Sequence, residues 1–167
     1  MGNHAVIRKD RLYGTDVAPA LVSMKYFVST TPTAIDNGNV VRLDGLLDGE
    51  RELYKAVAPA ANTALEDVAI VGTNEVNYDE RKRNLDDFTN EAGVASLGYR
   101  PHKGDIFSVT AAALSAAAAI EVGNVVELQA DTKLKVVSSL TANSTKVGEI
   151  IAIETAGRYT YYVIEVK

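Results

Sequence analysis

The sequence writes nearly the same eight residues twice, "DNGNVVRL" at 36–43 and "EVGNVVEL" at 121–128. Aligned on Gly38 and Gly123, the surrounding segments follow in the same order. Lys25–Thr30 matches Asp105–Thr110 upstream. Leu53–Val57 matches Leu134–Val137 downstream, and Val68–Val71 then matches Ile150–Ile153. A conserved order of apolar segments and turns around an identical block points to internal duplication. Two copies are too few for a solenoid and fit a pair of similar lobes.

Each unit reads as β. Its segments are short and rich in Val, Ile, Tyr and Thr, and Gly, Asn and Asp separate them. Asn37-Gly38 is a turn signal because both residues tolerate positive φ. Arg158–Val166 is the best strand in the chain, with Val147–Ile153 as its neighbour across Thr155-Ala156-Gly157. The alanine run Ala111–Ala119 has helical propensity. Its counterpart in the first copy is Thr31-Pro32-Thr33-Ala34, which cannot continue a helix. The run is therefore expected to be a close-packed connection or an irregular strand.

The expected fold is mainly β: two related small β-barrel or β-sandwich-like lobes from an internal duplication. The expected boundaries are an extended N-terminal arm at 1–24, a first lobe at 25–76, a linker at 77–104 and a second lobe at 105–167. Within the linker, Asp79 to Glu91 reads as one short helix, with its acids at the positive end of the dipole. Leu85, Phe88 and Ala92 give it a narrow apolar stripe, and Gly93 a C-cap.

Composition narrows the function. The chain has 167 residues, 47% of them hydrophobic, which is enough for a core. A net charge of −5 argues against a nucleic-acid binder. The absence of cysteine removes disulfides and thiolate chemistry. No secretory signal or membrane span is expected, since no apolar stretch approaches the roughly 20 residues a span requires. Phosphate loops, dinucleotide fingerprints, zinc spacings and nucleophile elbows are missing from the sequence. His4 and His102, the only histidines, read as solvated loop residues. Asp44, Asp48 and Glu50 in "DGLLDGE" match a calcium loop only loosely and suit turns better. Arg81-Lys82-Arg83 interleaves with acids at ion-pair spacing and lacks an aromatic platform. No catalytic residue, metal ligand or cofactor is expected, and the chain does not read as an enzyme.

The stretches "HAVIRKDRLYG", "YDERKRNLDDFTNEAGVASLGYRPHKGDIFSVT", "VGNVVELQADTKLKVV" and "VGEIIAIETAGRYTYYVIEVK" together resemble the small proteins encoded beside the major capsid gene in tailed phages and prophages of Firmicutes. That family resembles capsid decoration, or cement, proteins. The resemblance spans nearly the whole chain and carries no catalytic motif. It implies a structural protein made in the bacterial cytoplasm and placed on the outer surface of the virion. Its expected partners are the major capsid protein and neighbouring copies of itself, with no nucleic acid and no membrane. A different reading is a β-rich module for host-surface carbohydrate, with Tyr159, Tyr161 and Tyr162 as candidate contacts.

The expected partner contact lies in the arm. Val6, Ile7, Leu12 and Tyr13 are apolar, and Arg8, Lys9 and Arg11 concentrate charge. Such a segment can add a strand to a foreign sheet edge. On this reading, removing residues 2–13 leaves both lobes folded.

Overall fold

At the two Gly-Asn-Val-Val blocks the chain turns in the same way. In the computed structural model, which describes residues 4–15 and 17–167, Gly38 has φ +82° and Gly123 φ +92°. The Gly38 N–H donates to the Val71 carbonyl at 2.8 Å, and the Gly123 N–H to the Ile150 carbonyl at 2.8 Å. Val71 and Ile150 donate back to the Asn39 and Asn124 carbonyls, each at 2.9 Å. Ile150 is thus the counterpart of Val71, and the match of Val68–Val71 with Ile150–Ile153 shifts to Val147–Ile150. The strand that carries Ile150 has a bulge between Ile150 and Ala152, which sequence spacing alone does not reveal.

Each turn feeds a strand because the Val-Val pairs favour extended backbone with opposite faces covered. In chain order the strands are β1 (Ile7–Arg11), β2 (Leu21–Val28), β3 (Thr31–Pro32), β4 (Val40–Leu46), β5 (Leu53–Val57) and β6 (Val68–Val71). Then come β7 (Ser96–Tyr99), β8 (Ile106–Val109), β9 (Leu114–Ala116), β10 (Val125–Gln129), β11 (Asp131–Val137), β12 (Lys146–Ala156) and β13 (Tyr159–Val166). The first sheet runs β2-β5-β4-β6-β7 and closes on itself through β2–β7, with β3 added at β2. Closure uses two registers on one strand. β2 pairs parallel with β5 from Ser23↔Leu53 and antiparallel with β7 from Leu21↔Tyr99. The second sheet runs β1-β8-β13-β12-β10-β11-β9. Its β8 pairs antiparallel with β13, and β9 pairs parallel with β11. Only the 3₁₀ turn Ala111–Ala113 and Thr110 separate β8 from β9. The alanine run thus forms one tight turn and a short strand.

Strand β6 explains how the sheets join. Val68, Ala69, Ile70 and Val71 are all fully buried, so both faces of the strand are covered. Ala69 and Val71 pack inside the closed barrel with Val22, Met24, Val41 and Ala56. Val68 and Ile70 face the other way, with Val40, into a larger core shared with Phe107, Val109, Leu128, Leu134, Ile150 and Ile164 of the second sheet. The expected pair of lobes on a linker is therefore corrected to two sheets fused over a common core.

Two expected segments outside the lobes supply strands to these sheets. The expected linker 77–104 contains β7, which closes the barrel. The expected arm 1–24 contains β1 and the first half of β2. The helix expected from Asp79 to Glu91 does not form. One 3₁₀ turn, Leu85–Asp87, is the only helical piece there. Short polar side chains take the backbone groups a helix needs. Asp79 Oδ1 accepts the Arg81 N–H at 3.0 Å, and Asp87 Oδ2 accepts the Asn84 N–H at 3.1 Å. Leu85 is exposed and Phe88 half-buried, so the stripe has no core beneath it.

The second sheet contains one buried acid that reads as solvated in the sequence. Glu127 is fully buried on β10. Lys135 Nζ lies 2.8 Å from its Oε1, and the Thr141 hydroxyl and N–H donate to it at 2.7 and 2.8 Å. Burial pushes its carboxyl up, but these donors outweigh burial and hold it below the ordinary 4.5. A lowered folded value means the stabilisation is present above the unfolded value and is lost as pH falls through the folded one. Glu127→Gln should cost about 1–3 kcal/mol at neutral pH and flatten the loss of stability below pH 4.5. Denaturant melts across an acid series check both. An acid limb as steep as that of wild type would show that the pair contributes nothing.

Candidate interaction surface

Of the residues expected to meet a partner, Val6, Ile7 and Leu12 pack into this chain, while Arg8, Arg11 and Tyr13 stay exposed. β1 pairs with β8 as Ile7↔Val109 and Arg8↔Ser108, then bulges to Arg11↔Ile106. Val6, Ile7 and Leu12 are buried, at 1%, 6% and 1% exposure. Arg8 pairs with Glu154 at 3.1 Å and lies over the Tyr161 ring. Lys9 Nζ donates to the Gly72 carbonyl and, at 2.8 Å, to Asn74 Oδ1. The Tyr13 ring sits 4.3 Å from that of His102, and Arg11 is exposed. The apolar residues do cover a sheet edge, as their pattern requires, but the edge belongs to their own second sheet. Gly2, also within the expected arm, lies outside the described residues.

The tyrosines near the C-terminus are not a flat platform either. Tyr161 is buried, and the Tyr159 ring is tilted 58° to it. Burial, and then the hydrogen bond to Asp86, raise the Tyr159 phenol above its ordinary value. His4 is paired, its Nδ1 2.7 Å from Asp36 Oδ1, while His102 Nδ1 lies 3.0 Å from the Arg100 carbonyl.

What remains open is the segment from Gly72 to Ala95, between β6 and β7. Connections this long with no more regular structure than one 3₁₀ turn are uncommon in compact domains and are usually functional. This one is fixed from below by a buried amide hub. Asn37, fully buried, donates to the Thr73 carbonyl at 2.8 Å and to Glu75 Oε1 at 3.1 Å. Its Oδ1 accepts the Thr73 N–H at 3.0 Å and Asn90 Nδ2 at 3.1 Å. Ile35 and Asn90 also exchange both backbone hydrogen bonds at 3.0 Å. From the side, the β12–β13 hairpin holds the buried Asp86. The Tyr159 hydroxyl donates to Asp86 at 2.8 Å, and Arg158 approaches it at 3.4 Å.

Upon this fixed segment the apolar side chains point outward. Tyr78 is 97% exposed, Val76 59% and Val94 55%. They line a groove of about 500 Å³ together with Phe88, Asn74, Lys82 and Glu91. Asp79, at its rim, is held below the usual carboxylate range by its hydrogen bonds from Arg81. The arrangement offers an exposed aromatic side chain with polar neighbours, on a segment tied down at Thr73, Glu75, Asp86 and Asn90. Sequence reasoning missed Tyr78. Its one signal is an aromatic residue with no apolar neighbour at helical spacing, inside a run of Asn, Asp, Glu, Arg and Lys.

Among the described residues no cluster of three or more His, Cys, Asp and Glu is placed to hold a metal, and no helix is long and apolar enough to cross a membrane. Compared with protein-family models, curated proteins and solved structures, the chain finds no match in any of the three.

Proposed function

We propose that this chain is a non-enzymatic structural protein that binds the outer surface of a tailed-phage capsid and stabilises it. The contact runs through the segment from Gly72 to Ala95. The observation that carries the reading is Tyr78, almost wholly bare on a segment bolted to the barrel by Asn37 and Asn90. Exposed aromatics of this kind dominate interface energetics. A segment already ordered avoids much of the entropy cost of docking, about 1–2 kcal/mol per residue for backbone alone. The resemblance of the sequence to capsid decoration proteins supplies the partner, the major capsid protein. The net charge of −5 suits an outward face. We also infer that the two halves descend from one duplicated β unit, supported by the matching turn hydrogen bonds at Gly38 and Gly123.

Co-sedimentation with purified capsids tests the reading. Tyr78→Ala should leave the melting temperature unchanged and weaken binding by about 2 kcal/mol or more, about 30-fold in Kd. Capsid binding at wild-type strength by both Tyr78→Ala and a Val76→Asp/Val94→Asp variant would overturn it. The groove also favours a second reading, a host-surface carbohydrate. Asn74, Asn77 and Glu91 offer hydroxyl-binding groups beside a ring that can stack on a sugar. Binding to a glycan array with no capsid binding would select that reading.

A further inference from the structure

Two lysines stand side by side on the outer face of the closed barrel. Lys25 of β2 and Lys55 of β5 are register partners. Their chain neighbours Met24 and Ala56 fill the barrel interior, so both lysines point out of it. On these two strands the rest of the outer face is uncharged, with Ser23 and Phe27 on β2 and Leu53 and Val57 on β5. The Lys55 ammonium lies 6.0 Å from the centre of the Phe27 ring. Like charges directly opposite on neighbouring strands destabilise a sheet. Yet among the described residues neither lysine has a carboxylate within ion-pair distance. The chain carries an excess of acids, at −5, so the missing counter-charge is a matter of placement and not of supply.

The complementary charge stands at the end of the β4–β5 hairpin. Gly45 and Gly49 sit there at positive φ, and a Cβ added at either would meet nothing within 4 Å, so this end projects into open space. The Leu47 N–H donates to the Leu53 carbonyl and the Glu50 N–H to the Leu47 carbonyl, each at 3.0 Å, which fixes its shape. Asp44 is taken by Arg42 at 3.0 Å. Asp48, Glu50 and Glu52 are exposed and make no ion pair among the described residues, and Leu46 beside them is 47% exposed. These acids do not reach the two lysines of their own barrel. We propose that they reach those of a second copy of this chain: the hairpin end of one molecule docks on the Lys25–Lys55 face of the next, with Leu46 against the apolar residues around the lysines. The two surfaces differ, so the contact is heterologous, and each copy gives its hairpin to one neighbour and its face to another. Exposed ion pairs contribute little each. The association is therefore weak in free solution and strengthens where copies are held close together.

Sedimentation of the free full-length chain tests this, so the outcome is independent of capsid binding. Wild type should associate with rising concentration at about 20 mM salt and lose at least about tenfold in affinity at about 0.5 M, where exposed charges are screened. A face variant, Lys25→Gln/Lys55→Gln, and a hairpin variant, Asp48→Asn/Glu50→Gln/Glu52→Gln, should each melt like wild type and each stay monomeric. Mixed together they retain one intact hairpin and one intact face, so the mixture should form a dimer and stop there. A wild-type chain that is monomeric up to about 1 mM at low salt, beyond the weak end of specific association, would overturn the proposal. So would association that survives in either variant, or a mixture of the two that stays monomeric while wild type associates.

Discussion

Deleting residues 2–13 should abolish folding of the whole chain. The deletion removes Ala5 and three larger side chains that are almost wholly buried, Val6, Ile7 and Leu12. Truncating one such residue to alanine costs about 2–5 kcal/mol at the upper sizes, and a domain holds about 5–15 kcal/mol in all. The deletion also strips β8 of its outer strand and breaks the Thr110 N–H bond to the Val6 carbonyl, 3.1 Å long. The neighbours that would be uncovered, Phe107 and Val109, belong to the core shared by both sheets, so the loss is not confined to one of them. Circular dichroism and a thermal melt of the truncated chain check this. A cooperative melt within a few degrees of wild type would restore the segment to the role of a free arm. Leu12→Ala alone gives the graded version, a loss of about 2–5 kcal/mol.

The second large effect is expected at Gly148. It lies in β12 between Val126 on β10 and Val166 on β13. A Cβ there would overlap the Glu165 carbonyl oxygen of the adjoining strand, and backbone cannot move aside as a side-chain tip can. Gly148→Ala should therefore cost more than about 4 kcal/mol, at the exceptional end for a single substitution. The two turn glycines calibrate it. Gly123→Ala meets open space and should cost only the strain of positive φ, about 1–3 kcal/mol. Gly38→Ala has the same strain and also crowds Val109 and Ala113, at 3.0 and 3.1 Å, so it should cost more than Gly123→Ala. Denaturant titration of the three variants gives the order. Equal stabilities for all three would refute the close packing of the strands and of the Gly38 turn.

These glycines also show how much of the fold is legible in the sequence. The Gly-Asn-Val-Val turns announce themselves through their Gly-Asn pairs and β-branched pairs, and both place the glycine at positive φ. The Val68–Val71 run reads as a strand, but not as one that faces two cores, because its apolar residues are continuous. The segment after it misleads. Leu85, Phe88 and Ala92 have helical spacing, yet Asp87 and Asn90 spend their side chains on the backbone of Asn84 and Ile35, and spacing alone does not weigh that competition. The N-terminal pattern of apolar and basic residues is correct for a strand at a sheet edge. Nothing local tells the chain's own edge from a foreign one, so the apolar part of the candidate contact, Val6, Ile7 and Leu12, is buried in this chain's own core. Glu127 and Asn37 are invisible for a related reason. A buried acid or amide looks solvated until the distant Thr141 or Asn90 is placed beside it.

The most direct measurement is a reconstruction of the assembled phage particle by electron cryo-microscopy at side-chain resolution. Expected is density for this chain on the outer capsid surface, with the Gly72–Ala95 segment facing the major capsid protein and Tyr78 in contact with it. A particle that lacks the chain, or that carries it with Tyr78 turned to solvent, would contradict the proposal.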